Sequence, residues 1–190
     1  ELNVAGTVIE GYGCPGMSRM AGALVSMELA RGDGSFNTFF GVHSGLAMGS
    51  INAFGSDEQK ERWLPDLYAV RKTGVLAITE PEAGSDVAQG MRTTATKVDG
   101  GWILNGAKRW IGNATFSDYV AVYARDPEDE QVKGFIVDTS AEGYTATLME
   151  NRIAIRAVQN ADITLDNVFV PDSDKLEGAN SFKDIRSEEH

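Results

Sequence analysis

The sequence has one cysteine, two histidines and five prolines in 190 residues, and no apolar run that approaches the ~20 residues needed to span a bilayer. A lone Cys14 cannot form an internal disulfide, which fits a reducing interior. Zinc needs several Cys, His or carboxylate ligands at close spacing, and Cys14, His43 and His190 do not supply them, so no metal site is expected. Positive charge is also scarce. Seventeen basic residues face twenty-eight acidic ones, a net charge of −11. This argues against general nucleic-acid binding, which needs a positive field to meet phosphates. It leaves a nucleotide ligand open, because a few backbone amides or one arginine can hold a phosphate locally. The opening ELNVAGTVIEGYGCPG has no basic region followed by an apolar stretch and does not read as a signal peptide.

The chain changes character near Lys72. Before it, apolar residues recur at helical spacing; after it, they alternate as in strands. Residues 15–31 are predicted as a helix with Pro15 in the first turn, Met17, Met20, Ala21, Leu24 and Glu28 on one face, and Gly32 as the stop. Residues 35–54 are predicted as a second helix, with Phe36, Phe39, Phe40, His43, Ala47 and Ile51 inward and Gly55 ending it. Ser56-Asp57-Glu58-Gln59 forms a capping box for a third helix, 57–69, whose apolar face is Trp63, Leu64 and Leu67. From residue 74 the pattern is β: GVLAIT, the stretch from Thr94 to Val98, an Asp99-Gly100-Gly101 turn, then 102–104, 118–125, 133–139, 144–149 and 161–170. Such spacing suggests an antiparallel sandwich or barrel after a helical region, an α+β chain. The tail SFKDIRSEEH is polar and carries no fold signal.

Three segments stand out. In the first, Leu76-Ala77-Ile78-Thr79-Glu80-Pro81-Glu82-Ala83-Gly84-Ser85-Asp86, a buried strand enters a turn whose amides and hydroxyls can meet a flat polar heterocycle and a phosphate. A plain strand-to-loop turn explains the same composition. In the second, Asn105 to Asn113, Trp110 can stack on an aromatic ligand and Gly112 allows close approach; a core tryptophan between two turns is the alternative. The third, Gln159 to Pro171, reads as a structural strand.

Taken together and in order, ITEPEAGSD, NGAKRWIGN and the FGSDEQ…WLP stretch at 54–65 resemble the acyl-CoA dehydrogenases, with the glutaryl-CoA dehydrogenase branch and plant short-chain acyl-CoA oxidases nearest. The resemblance runs from Gly11 to about Asp184. It implies a partial N-terminal α-helical domain over 1–72, a central flavin-binding β-domain over 73–178, and the start of a C-terminal region at 179–190. The first helices and the family's C-terminal four-helix bundle are expected to lie outside this sequence. It implies FAD as cofactor, held by Leu76, Ile78, Thr79, Gly84, Ser85, Trp110, Ile111 and Gly112, and an acyl-CoA substrate near Ser85, Asn37 and Thr38. The family's catalytic base belongs to the bundle, so no residue here is assigned that role; Glu80 reads as a solvated or capping carboxylate.

Two departures carry expectations. The arginine that pairs with the distal carboxylate in glutaryl-CoA dehydrogenases falls on Asn37, which cannot provide a bidentate ionic partner, so a monocarboxylic acyl-CoA is expected. Gly112 stands where many dehydrogenases have Thr or Ser, which suggests greater oxygen reactivity. The resemblance further implies an electron acceptor, either a flavoprotein or oxygen, and a homo-oligomer, dimer or tetramer, when intact. It implies a bacterial cytoplasmic or an organelle-matrix location. The rival readings are a flavin or acyl-CoA binding module without turnover, and a non-catalytic remnant or interaction protein. His43 and Cys14 read as packing residues, Asp86 as a loop anchor, and Arg125, Arg152 and Arg156 as surface arginines.

Overall fold

The structure, a computed structural model, describes residues 3–187. His190 and the two glutamates before it lie outside the described residues. The chain opens with a two-residue hairpin, β1 (Glu10–Gly11) and β2 (Cys14–Pro15). Pro15 therefore sits in a strand pair and not in a helix. Gly16, at φ +58, turns the chain away, and Ser18 starts helix α1 (Arg19–Gly32) by accepting the Ala21 amide at 3.2 Å. The expected apolar face of α1 points outward. Gly22 instead faces Thr7 and Val8, while Met20 and Leu24 are exposed.

Asp33 breaks the chain in extended backbone and caps α2 (Gly34–Phe40), accepting the Ser35 and Phe36 amides. The predicted 35–54 helix is continuous but not uniform: a π-helical stretch, Gly41–Ala47, separates α2 from α3 (Met48–Phe54). The wider turn brings His43, Ser44 and Ala47 into the core, while Phe36 stays 53% exposed. Gly55 ends α3 by turning into extended backbone, and the position calls for glycine because a Cβ there would lie 2.6 Å from the Ile51 carbonyl. The capping box forms as read, with Ser56 and Gln59 satisfying each other's amides, and α4 (Asp57–Tyr68) buries Trp63, Leu64 and Leu67.

The β-region holds β3 (Gly74–Ala77), a short helix α5 (Val87–Gly90), β4 (Thr94–Val98), β5 (Gly101–Gly112), β6 (Tyr119–Arg125), β7 (Val132–Asp138), β8 (Tyr144–Leu148) and β9 (Asn160–Pro171). β4, β5, β9 and β8 follow one another antiparallel, and β7 lies antiparallel on β6. Two joins, both on β6, depart from the antiparallel pattern. β3 runs parallel to β6, Val75 opposite Val120 and Ala77 opposite Val122. A single parallel bridge, Thr94–Arg125, connects the two groups into one seven-stranded curled sheet.

β6 is buried on both faces, which explains its unbroken apolar run. Val120, Val122 and Ala124 join Trp102, Leu104, Phe135 and Ile163 inside the sheet's curl. Ala121 and Tyr123 point the other way, into a second core with Met48, Ile51, Phe54, Trp63 and Leu67 from the helices. The polar tail forms a helix after all, α6 (Phe182–Ser187): Ser181 accepts the Asp184 amide at 3.2 Å, and Ile185 reaches the helix-side core. Its single buried apolar residue is too little for a pattern to reveal.

Candidate functional site

The site is built where two of the three singled-out segments meet. In β3, Val75 and Ala77 fill the sheet interior, so Leu76 and Ile78 face the helices by strand alternation. There they line a depression with Gly45, Leu46, Gly49 and Tyr123. The chain then turns, and the Arg109 amide donates to the Thr79 carbonyl at 2.8 Å. The loop after Ile78 and the tryptophan segment are thus joined by main-chain bonding.

β5 is irregular at this junction. Its pairing with β9 slips between Lys108 and Ile111, so Arg109 and Trp110 together oppose Asp162. This bulge holds Trp110 at φ +65, an uncommon conformation for a bulky residue. It also aims the indole outward, 56% exposed. Trp110 and Thr38 line an open pocket of about 480 Å³ with Met149, Arg152, Ile155, Val158 and Asn160. The Arg109 guanidinium lies 5.7 Å from the Trp110 ring and 3.5 Å from Asp162. Backbone outliers of this kind cost free energy and collect at functional sites.

Other expected site residues fall in different places. Gly112 borders the same pocket: a Cβ on it would lie 3.2 Å from Val158 and 3.5 Å from the Asn160 side chain. The Ile111 side chain is 4% exposed in the sheet core, so only its main chain could meet a ligand. Gly84 and Ser85 are exposed on the loop after Glu80, with open space around Gly84. On α2, Asn37 is half-buried and is not among the residues lining the Trp110 pocket, and the Thr38 hydroxyl is engaged with the Gly34 carbonyl at 2.9 Å.

Reading the sequence alone missed Lys108, and of its two readings of Glu80, solvated or capping, the structure excludes the first. Glu80 is 5% exposed, not solvated. Its carboxylate accepts the Arg92 amide at 2.6 Å, the Thr93 amide at 3.0 Å and the Lys108 ammonium at 2.9 Å. Lys108 is fully buried and donates also to the Ile78 carbonyl at 3.1 Å. Burial pushes the Glu80 carboxyl up, but Lys108 and the two amides outweigh it and hold the group below the usual carboxylate range. Burial brings Lys108 down to about 8, with Glu80 pulling the other way. Strand phase could have found the lysine. Trp102, Leu104 and Lys108 occupy the same inward register of β5, and a lysine facing inward requires a buried counterion.

His43 is the other buried polar residue at the seam. Its Nδ1 accepts the Gly74 amide at 3.1 Å, so Nε2 carries the proton donated to the Leu67 carbonyl at 2.9 Å. Both ring nitrogens are satisfied and burial lowers its pKa, as a packing histidine requires. Arg152 turns back onto the carbonyls of Ile155, Arg156 and Val158, and Arg125 onto those of Met91 and Glu130, so both arginines hold loops together. Among the described residues no cluster of His, Cys, Asp and Glu could hold a metal, and no helix is long and apolar enough to cross a membrane.

An exposed tryptophan on a bulge, tied to a turn with a free hydroxyl-bearing loop, is an arrangement suited to a flat ring. The profile described as "Acyl-CoA dehydrogenase, middle domain" matches residues 75–168, and the one for the N-terminal domain matches residues 1–71. The chain belongs to the acyl-CoA dehydrogenase family. It is 34% identical over 181 residues to mitochondrial isovaleryl-CoA dehydrogenase of Arabidopsis thaliana, covering 93% of this chain and 44% of that protein. It superposes on a glutaryl-CoA dehydrogenase from Mycobacterium smegmatis with a TM-score of 0.94 at 42% identity, over 99% of this chain and 48% of the other. A glutaryl-CoA dehydrogenase from the same organism, in complex with FADH2, gives 0.92 at 39% identity, over 98% and 47%. The chain thus spans about half the length of the relatives it matches. The helical region and the curled sheet correspond to the first two parts of this family's fold.

Proposed function

We propose that this chain is the helical and flavin-binding β portion of an FAD-dependent acyl-CoA dehydrogenase, which forms a 2-enoyl-CoA from a saturated acyl-CoA thioester. The observation that carries the reading is the 2.8 Å bond from the Arg109 amide to Thr79, which fixes the exposed Trp110 beside the Ile78–Thr79 turn. We assign 1–72 to the N-terminal region, 73–178 to the β-domain and 179–190 to the start of a C-terminal region. The fit to a flavin rests on the residues themselves. Trp110 offers an exposed aromatic face, Leu76 and Ile78 line an apolar depression separate from the Trp110 pocket, and the open loop at Gly84 and Ser85 offers amides and a hydroxyl for phosphate.

Bound there, FAD would supply the hydride-accepting chemistry, taking the hydride released from the substrate β-carbon. The chain's own residues would bind and orient. Thr79 would present its hydroxyl and Trp110 its face to the ring, and Gly112 would keep clear the space beside Val158 and Asn160. Thr38, Ser85 and Asn37 would meet the acyl-CoA. Glu80 is committed to Lys108 and two amides and is not available as the base. The family resemblance assigns the α-carbon proton to a glutamate of the family's C-terminal bundle. Electrons would leave to an acceptor flavoprotein or, helped by Gly112, to oxygen. A homo-oligomer in the bacterial cytoplasm or an organelle matrix completes the reading.

The test is anaerobic titration of the full-length protein with butyryl-CoA while flavin absorbance is followed. Bleaching supports a dehydrogenase, whereas bound flavin without bleaching indicates a binding module. Absence of any flavin uptake sinks the proposal. With Asn37 in place of an arginine, glutaryl-CoA should bleach more slowly than butyryl-CoA; equal rates would contradict the substrate assignment.

A further inference from the structure

We propose that Lys108 and Glu80 are positioning residues for the ligand face, a buried latch that sets the 78–80 turn against the 109–110 bulge and closes the base of the loop between them and β4. This inference rests on the flavin reading above for its functional meaning, and on the hydrogen bonds alone for its mechanics.

The latch gathers three main-chain groups from two places in the chain. Lys108 holds the Ile78 carbonyl, the residue before Thr79. Glu80, the residue after Thr79, holds the Arg92 and Thr93 amides, so the loop leaves and returns at one carboxylate. Thr93 is completely buried and can come this close only because of Gly106, whose φ is +148 and whose Cβ would lie 2.6 Å from the Thr93 hydroxyl. Lys108 itself sits two residues before Trp110. Thr79 is therefore pinned through both immediate neighbours, and Trp110 through the residue two positions before it, to one ammonium–carboxylate contact.

A purely stabilising role would not call for charge. Removing two charges from water costs about as much as their attraction returns, and a well-packed apolar pair serves stability as well or better. What an apolar pair cannot do is direct three main-chain groups at once. The side chains are 0% and 3% exposed and have no access to substrate, so they act through the residues they hold.

The experiment uses the full-length protein and the neutral, similarly shaped double variant E80Q/K108M, with FAD as the probe. In the unaltered apo-protein, the Arg92 and Thr93 amides should exchange with deuterium as slowly as those inside β5. Exchange as fast as exposed loop amides overturns the latch, whatever the variants do. In the double variant, thermal stability should recover relative to K108M alone, because no unpaired charge is left buried. The two amides should nevertheless exchange faster, proteolysis within 81–91 should accelerate, and the FAD dissociation constant should rise about tenfold or more. Parent-like exchange and FAD affinity in a folded double variant would reduce the pair to ordinary packing. If the unaltered protein takes up no FAD, the functional reading fails, while exchange and proteolysis still decide the latch.

Discussion

In α1 no residue is fully buried, and Met20, Leu24 and Met27 are 72%, 55% and 60% exposed; in β6 five consecutive residues are buried. Both segments are rich in apolar residues. The sheet curls so that its inner face packs on itself, and α3 and α4 cover the back of β6 and β7. The apolar side of α1 has no such cover among the described residues. An apolar face in sequence therefore records that a residue is suited to contact, not that its contact lies within the same stretch of chain. The two regions should respond differently to the same truncation. Leu104→Ala in the sheet interior should cost about 2–5 kcal/mol, since it leaves a cavity in a closed core. Leu24→Ala on α1 should stay within about 0.5 kcal/mol if that face is open, as surface changes usually do. Denaturant unfolding of both variants measures the contrast. A large loss for Leu24→Ala would mean that the intact protein covers α1.

The seam between the regions can be tested next. Gln59 caps α4 and also donates to the Ser173 carbonyl at 2.9 Å and the Lys175 carbonyl at 2.6 Å, and it accepts the Glu177 amide. One side chain thereby ties the helices to the segment after β9. Gln59→Ala would leave these groups unpaired at a half-buried site, and a loss of about 1–3 kcal/mol is expected. Gln59→Glu should lose less than Ala at the Ser56 and Glu177 amides but not recover the two carbonyl contacts. A thermal midpoint unchanged in both variants would show that the regions are held together elsewhere.

Much of this organisation could be read from the residues. The capping box at Ser56, the stop at Gly55, the Asp99–Gly100 turn and the long β9 strand all follow from local chemistry, and all are present. What escaped depended on partners distant in sequence. The parallel β3–β6 join is invisible because a short apolar strand does not record its neighbour's direction. Asn105-Gly106 reads as a turn, yet it is a point inside β5 where Thr93 presses against the strand. The π-helical stretch keeps the same residues helical while rotating which of them face inward. At the candidate site, the approach of the Thr79 turn to Trp110 was legible through the family motifs. The Lys108–Glu80 pair beneath it was legible only through strand phase, which the motifs obscured.

His43 sharpens the comparison in its pH dependence. It bridges the end of α4 to the first residue of β3 as a neutral ring, and its pKa lies below the ordinary 6.5 because it is buried. The unfolded chain takes up a proton on this residue at higher pH than the folded one does. The folded state should therefore lose stability as pH falls below about 6.5, with the loss ending once the folded form also protonates. His43→Gln should flatten this part of the stability curve at a cost of about 1–2 kcal/mol at neutral pH, since an amide cannot match both contacts. An unchanged slope between pH 7 and 5 would assign it to carboxylates instead.

A small stability effect of opposite sign is expected at the most exposed aromatic. Trp110 is held in left-handed backbone, which costs a residue with a Cβ about 1–2 kcal/mol. Glycine adopts that conformation freely but loses about 0.5–1 kcal/mol through its greater freedom when unfolded. Trp110→Gly should thus leave the protein as stable as before or more stable by about 0.5–1 kcal/mol, because a ring 56% exposed gives up little packing. FAD uptake should weaken at the same time. Those opposite signs separate the two accounts of this residue. A tryptophan retained for packing would lose stability when removed, whereas one retained to face a ligand costs the apo-protein free energy and returns it only on binding.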